Sequence, residues 1–302
     1  MKKFLLIIVV LCLAKITDAP INYAGDTMPN DTPQFFAPGI LADGLSNRDF
    51  TISPSGGEIF FTIQYPKFIS RTIIRPIKIN GHWGKPEVAP FSGVYRDLEA
   101  SFSPDGKTLF FSSDRPIEGA RPKRDFDLWK VLRTPEGQWG TPENLGNTVN
   151  SDKNEFYPGV AKNGDLYFTV ATPCRKGGED IVLCKKNGAG YEPPISLPED
   201  INTKIDEFNA FIDATGQFII FTSYGRSDDI GKGDLHISHR DSNGNWMTVK
   251  HLPTPINSTS FDYCPYVAPD KKYFVFTSNR LRRECYSDKA AAPETALMIF
   301  IG

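Results

Sequence analysis

Acidic side chains recur in this chain at a fixed offset from a turn. Nine residues before the turn position stand Asn47, Asp97, Glu155, Glu207 and Asp262, acidic in four of five frames. Shortly after the turn the same four frames carry Arg115, Arg175, Arg226 and Arg280, while the first frame has Tyr65. The frame that lacks the acid also lacks the arginine. A carboxylate and a guanidinium at matched positions form charge-assisted hydrogen bonds that lock neighbouring strands. Where such pairs stay partly exposed, each contributes only about 0–1 kcal/mol. Asp97, Glu155, Glu207, Asp262, Arg115, Arg226 and Arg280 therefore have two uses, as internal latches or as a ligand-binding ring.

Two residues further along lie Asp49 and Glu99, with no arginine at the matched position. An arginine neighbour lowers a carboxylate pKa and disfavours a general acid, so these two are the catalytic candidates if the chain is an enzyme. Glycoside hydrolysis needs two carboxylates about 5–5.5 Å apart for retention or about 6.5–9.5 Å apart for inversion. No GxSxG, HExxH, P-loop or EF-hand pattern is present. The histidines His82, His236, His239 and His251 are scattered, so no metal site is expected from them. A structural Ca2+ held in a channel by the acids is the one cofactor the pattern admits.

The elements that must position these groups repeat. The turn precedes a β-like run in "SPSGGEIFFT", "SPDGKTLFFS", "AKNGDLYFT", "DATGQFIIFT" and "APDKKYFVFT". The last aromatic of each is Phe61, Phe111, Phe168, Phe221 and Phe276, spaced 50 to 57 residues apart. Four residues before the turn position stand Ile52, Phe102, Val160, Ile212 and Val267, apolar in every frame. The fifth turn has Lys271 where the others have glycine, which leaves its turn type open. A third β-like run follows, and then an aromatic with a downstream Pro, which makes four strands per unit. The last unit stops short of its fourth strand, and "PQFFAPGIL" (Pro33 to Leu41) supplies the missing pattern at the other end. The expected fold is an all-β, five-bladed β-propeller of four-stranded blades, with the ring closed by the N-terminal strand and no open edge.

The 302 residues carry a formal net charge of −2, 22 Phe, 11 Tyr, 25 Gly and 24 Pro. A near-neutral balance argues against a nucleic-acid partner. Lys2 and Lys3 precede an apolar run from Phe4 to Ala14, the pattern of a secretory leader over residues 1–19, and residues 20–302 form one domain. No later stretch is apolar enough to be a transmembrane helix. Export to the periplasm or outside the cell makes disulfides feasible, and Cys174, Cys184, Cys264 and Cys285 allow three pairings.

"SPDGKTLFFSSDR…FDLW", and "W…PENLGNTVNS…NEFYP" across the next junction, resemble the PD40, or WD40-like, repeats of TolB-type exported proteins. The resemblance implies a propeller over nearly the whole mature chain and leaves function open, since such folds serve many roles. The recurring "VNS", "INT" and "INS" are read as structural caps of the links between units. Trp83, Trp139 and Trp246, once per unit, are read as packing residues. Unequal loops carry Arg121, Lys123, Arg124, Arg282 and Arg283 on the face of the acids. The expected function is a scaffold binding a protein or glycan through that face. The alternative is a carbohydrate-active enzyme, a glycoside hydrolase or lyase, working through Asp49 and Glu99.

Overall fold

The computed structural model describes residues 32–35, 46–65, 70–117, 125–171, 177–280 and 295–300. The leader-like stretch, Arg175, Cys174, Cys285 and the basic residues of the two long loops lie outside the described residues.

Five four-stranded antiparallel sheets account for the repeat. The innermost strands are Ser46–Ile52, Asp97–Phe102, Asn154–Val160, Asp206–Ile212 and Asp262–Val267. Each pairs with the strand that follows its turn, then with a third strand, then with a short outer one. In the fifth sheet the outer place is taken by Gln34–Phe35, which pairs antiparallel with Leu297 and Met298 of Thr295–Phe300. Neighbouring innermost strands contact one another in cyclic order, the fifth returning to the first. The fold is an all-β propeller. Among the described residues there is no helix, and none is long and apolar enough to cross a membrane.

The paired aromatics explain why the second strands read as continuous apolar runs. Successive side chains of a strand point to opposite faces, and here both faces are covered. Phe61 packs toward the fifth sheet with Phe50, Tyr273 and Val275. Its neighbour Phe60 packs toward the second sheet with Phe102 and Trp139, ring centroids 5.6 and 6.0 Å away. Phe110 and Phe111 divide in the same way between the third and first sheets. Trp139 is buried in this packing, as the sequence suggests, with Arg133 stacked 4.1 Å over its ring.

All five turns have one geometry. The amide of Gly56, Gly106, Gly164, Gly216 and Lys271 donates to the carbonyl three residues earlier, at 2.7–2.8 Å. Lys271 adopts φ 58°, as left-handed as Gly106 at 68°. That conformation costs a residue with a Cβ roughly 1–2 kcal/mol. Lys271 has compensating contacts: its Nζ lies 2.9 Å from Asp213 Oδ1 in the neighbouring turn and over the Phe218 ring.

The asparagines of "VNS", "INT" and "INS" fasten each link to the sheet it leaves. Asn150, Asn202 and Asn257 accept from the amide, and donate to the carbonyl, of Leu128, Ile181 and Leu235 respectively. All three are buried. Each side chain gives the amide its partner, whereas the carbonyl also accepts from the backbone of Leu145, Leu197 or Leu252. Truncation strands one buried donor, at about 1–3 kcal/mol. Asn202→Ala is therefore expected to lower stability by roughly 1–3 kcal/mol, read as a lower midpoint in urea unfolding with an unchanged slope. An exposed control such as Asn243→Ala should leave the midpoint within experimental error.

Candidate functional site

Every innermost strand breaks register at one point: between Arg48 and Thr51, Leu98 and Ser101, Phe156 and Gly159, Phe208 and Phe211, and Tyr263 and Tyr266. The bulged residue is never glycine. Asp49, Glu99, Tyr157, Asn209 and Cys264 all adopt positive φ, between 48° and 61°. A bulge re-aims the side chain it carries, and the five converge on one buried polar cluster at the centre of the ring.

Arg48 organises that cluster. Its Nε donates to Asp49 Oδ1 at 2.7 Å, and its Nη2 donates to Glu99 Oε1 at 2.9 Å. The Cys264 thiol donates to Asp49 Oδ1 at 2.8 Å. Glu99 also accepts from Asn209 Nδ2 at 3.4 Å, from Ser112 Oγ at 3.3 Å and from the Tyr157 amide at 2.7 Å. The hydroxyls of the repeated "FF(S/T)" strands support the bulges: Thr62 and Thr169 accept from the amides of Glu99 and Asn209. Asp49 and Glu99, read from sequence as carboxylates without an arginine, thus share one. The partner sits between the two positions that the repeat picked out, where regular alternation would turn it away.

The charges respond to this packing. Burial works against the Arg48 charge, but Asp49, with Cys264, Tyr263 and Glu99, outweighs it and holds the guanidinium charged. Burial first, then the Asp49 carboxylate, raises the Glu99 pKa to about 7 despite Arg48. Burial and Asp49 likewise push the Cys264 thiol well above its ordinary range.

Two cavities meet at this cluster. One, of about 520 Å3, is lined by Arg48, Glu99 and Asn209 and by the aromatics Phe156, Phe208 and Tyr263. Arg71, Glu179, Asp206 and Lys232 add charges to its walls. The other, of about 230 Å3, lies on the side of the turns and includes Asp49, Glu99 and Tyr157. Glu99 lines both, whereas Asp49 lines only the second.

The matched acids and arginines are placed differently from a ligand ring. Arg115 pairs with Asp97 at 2.7 Å, Arg226 with Glu207 at 3.1 Å and Arg280 with Asp262 at 2.6 Å. Asp97, Glu155, Glu207 and Asp262 are fully buried and line neither cavity. Glu155 Oε1 accepts from Ser151 Oγ; its matched Arg175 lies outside the described residues. At Asp97 and Glu207 burial outweighs the lowering by Arg115 and Arg226 that the sequence suggests, and both carboxyls are raised. Among the described residues, Cys184 and Cys264 are free thiols.

Sequence reasoning missed Arg48, Tyr157, Asn209 and Cys264 as members of the central cluster. The signal available was the offset itself, since the position that gave Asp49 and Glu99 gives Tyr157, Asn209 and Cys264 in the other frames.

No protein-family model matches the chain, and no curated protein matches it in sequence. Solved structures share the fold. An α-L-arabinofuranosidase from Lactobacillus brevis superposes with a TM-score of 0.53 over 86% of this chain and 94% of its own, at 13% identity. The α-L-arabinofuranosidase PaAbf62A from Podospora anserina, solved with cellotriose, gives 0.51 over 90% and 94%, at 11% identity. Hydrazine synthase from Kuenenia stuttgartiensis gives 0.53 over 86% of this chain but only 41% of its own, at 14% identity.

A raised carboxylate pKa makes stability depend on pH in a fixed sense. Folded Glu99 holds its proton up to about pH 7, whereas an unfolded glutamate releases it near pH ~4.3. Between those limits the native state binds more protons, so its stability falls as pH rises, and the change is complete above the folded pKa. Glu99→Gln is expected to remove that share of the slope, measured as urea midpoints from pH 4.5 to 8. An unchanged slope in the variant would show that Glu99 does not titrate in this window.

Proposed function

We propose that this protein is a carbohydrate-active enzyme cleaving glycosidic bonds, with Glu99 as the proton donor to the leaving oxygen. One observation carries the reading: a carboxyl titrating at about 7, on the wall of an open aromatic-lined cavity, hydrogen-bonded from four sides. A general acid works best with a pKa near the operating pH. Separating the pKa values of neighbouring carboxylates is how a site assigns acid and base roles. Phe156, Phe208 and Tyr263 offer apolar faces to sugar rings, and Arg71, Lys232 and Asp206 offer polar contacts to hydroxyls.

Asp49 takes a supporting role in this reading. It lies beside Glu99 on the same guanidinium and raises the pKa of Glu99, but does not line the cavity of about 520 Å3. The second carboxylate that hydrolysis requires is then Glu179 or Asp206, both on the cavity wall. Glu179 is itself raised by burial and by Asp206. The matched acid–arginine pairs are assigned to latching the strands, which leaves Arg48 and Arg71, not Arg115, Arg226 or Arg280, as the arginines facing substrate. We read the five sheets as five blades of one PD40-like domain over residues 20–302, the last blade completed by Gln34–Phe35. Export follows from the leader-like stretch of the sequence.

The experiment is a panel of aryl glycosides and polymeric glycans, with arabinofuranosides first because two fold neighbours carry that activity in their names. Glu99→Gln is expected to lower kcat by about 10²–10⁴ while ligand affinity measured by calorimetry stays within a few-fold. The wild-type rate should fall on the alkaline side with an apparent pKa near 7, because the proton donor is lost. Saturable glycan binding with no turnover by the wild type would make the protein a binding module instead. Full activity in Glu99→Gln would remove Glu99 from the chemistry.

A further inference from the structure

On the fourth sheet the loop from Gly225 to Gly233 joins the second strand, Phe218–Tyr224, to the third, Asp234–His239. His236 is 1% exposed, and its two nitrogens have different fates. Nδ1 lies 3.2 Å from the Asp234 carbonyl oxygen and 3.2 Å from Ser223 Oγ. Donation to that carbonyl places the proton on Nδ1 and leaves a lone pair on Nε2. Nε2 has no hydrogen-bond partner. It points at Asp228 Oδ1, 3.5 Å away, and Asp229 Oδ1, 3.7 Å away.

Asp229 is divided in the same way. Its Oδ2 accepts from the amides of Gly225 and Arg226, at 2.7 and 2.9 Å, while its buried Oδ1 has no hydrogen-bond partner. An imidazole lone pair facing two carboxylate oxygens is repulsive unless a positive centre stands between them. A divalent cation satisfies all three atoms. Ligands roughly 2.0–2.2 Å from a tetrahedral ion lie about 3.4 Å apart, close to the separations seen.

We propose that Asp228, Asp229 and His236 form a binding site for a first-row divalent transition metal, Zn2+ or Mn2+. One imidazole and two carboxylates suit such ions better than Ca2+, which takes oxygen ligands alone. The Nδ1 bond to the Asp234 carbonyl is the outer contact that fixes a metal-binding tautomer. Asp234 in turn accepts from the amides of Ile230 and Gly231 and from His251 Nε2, so the loop is already folded around the site. Asp228 is 56% exposed and gives the ion an entry path and room for water ligands. The loop is flanked by Tyr224 and includes Lys232, both on the wall of the central cavity. The metal would pin that wall. The site departs from the sequence expectation of no metal, because its two aspartates are on the loop and only His236 is on the strand.

The test is calorimetric titration of the untagged, chelator-treated chain with Zn2+ and, separately, with Mn2+, which discriminates against thiol binding. One saturable site per chain is expected for each ion. Asp228→Asn, at an exposed position that leaves the fold intact, should weaken Mn2+ binding at least tenfold, and Asp229→Asn likewise. A distant substitution, Asp152→Asn, should leave it unchanged. Bound Mn2+ should also broaden the His236 ring resonances in the wild type and not in Asp228→Asn. No saturable Mn2+ binding, or binding untouched by Asp228→Asn, overturns the proposal.

Discussion

Five times around the ring, a strand gives up one rung of its ladder and turns a residue into the left-handed region. For a residue with a Cβ that costs roughly 1–2 kcal/mol, and glycine would avoid the cost at every one of the five positions. What glycine cannot supply is a side chain at the axis. Asp49, Glu99, Tyr157, Asn209 and Cys264 are five different chemistries delivered by one backbone device. Backbone strain persists where the surroundings over-determine it and where a side chain is needed in that place. The repeat explains the device and leaves its five contents free to differ.

The bulges would be expensive if they stood alone. Each frees an amide from the ladder, and a buried unpaired amide is costly. Thr62 and Thr169 take up two of those amides, and the Glu99 carboxylate takes up that of Tyr157. Glu99 is therefore both a site residue and a brace between the second and third sheets. Arg48 has the same double character, joining the first sheet to the second through Glu99 while facing the open cavity. The central cluster and the contacts between sheets share their hydrogen bonds, so a substitution in the cluster acts on stability as well.

Much of this was legible in sequence, for a physical reason. Packing between sheets needs the same apolar pattern in every unit, so the FF strands, the turns and the link asparagines recur and can be aligned. The acid–arginine latches were visible as a correlated loss at Asn47 and Tyr65. Their burial was not, because the offset gives a place along the strand and no depth. The central cluster was half visible. Asp49 and Glu99 stood out as charges, whereas Tyr157, Asn209 and Cys264 look like ordinary strand residues until the bulge turns them inward. Arg48 was hidden by the same feature, since period-two alternation sends it away from its neighbour and the register shift brings it back.

The latches and the cluster also show how depth decides the work of one residue type. Asp97 has an arginine, two hydroxyl donors and no opening to a cavity, so its charge is spent on holding strands. Glu99 has an arginine too, but it adds a second carboxylate nearby and a cavity on either side. Two buried acids sharing one cation cannot both be compensated by it, and the excess appears as a pKa near neutrality on Glu99, the one that lines both cavities. A propeller that repeats the acid–arginine pair, three times among the described residues, gains rigidity. The proposed proton donor lies instead where two acids share one arginine.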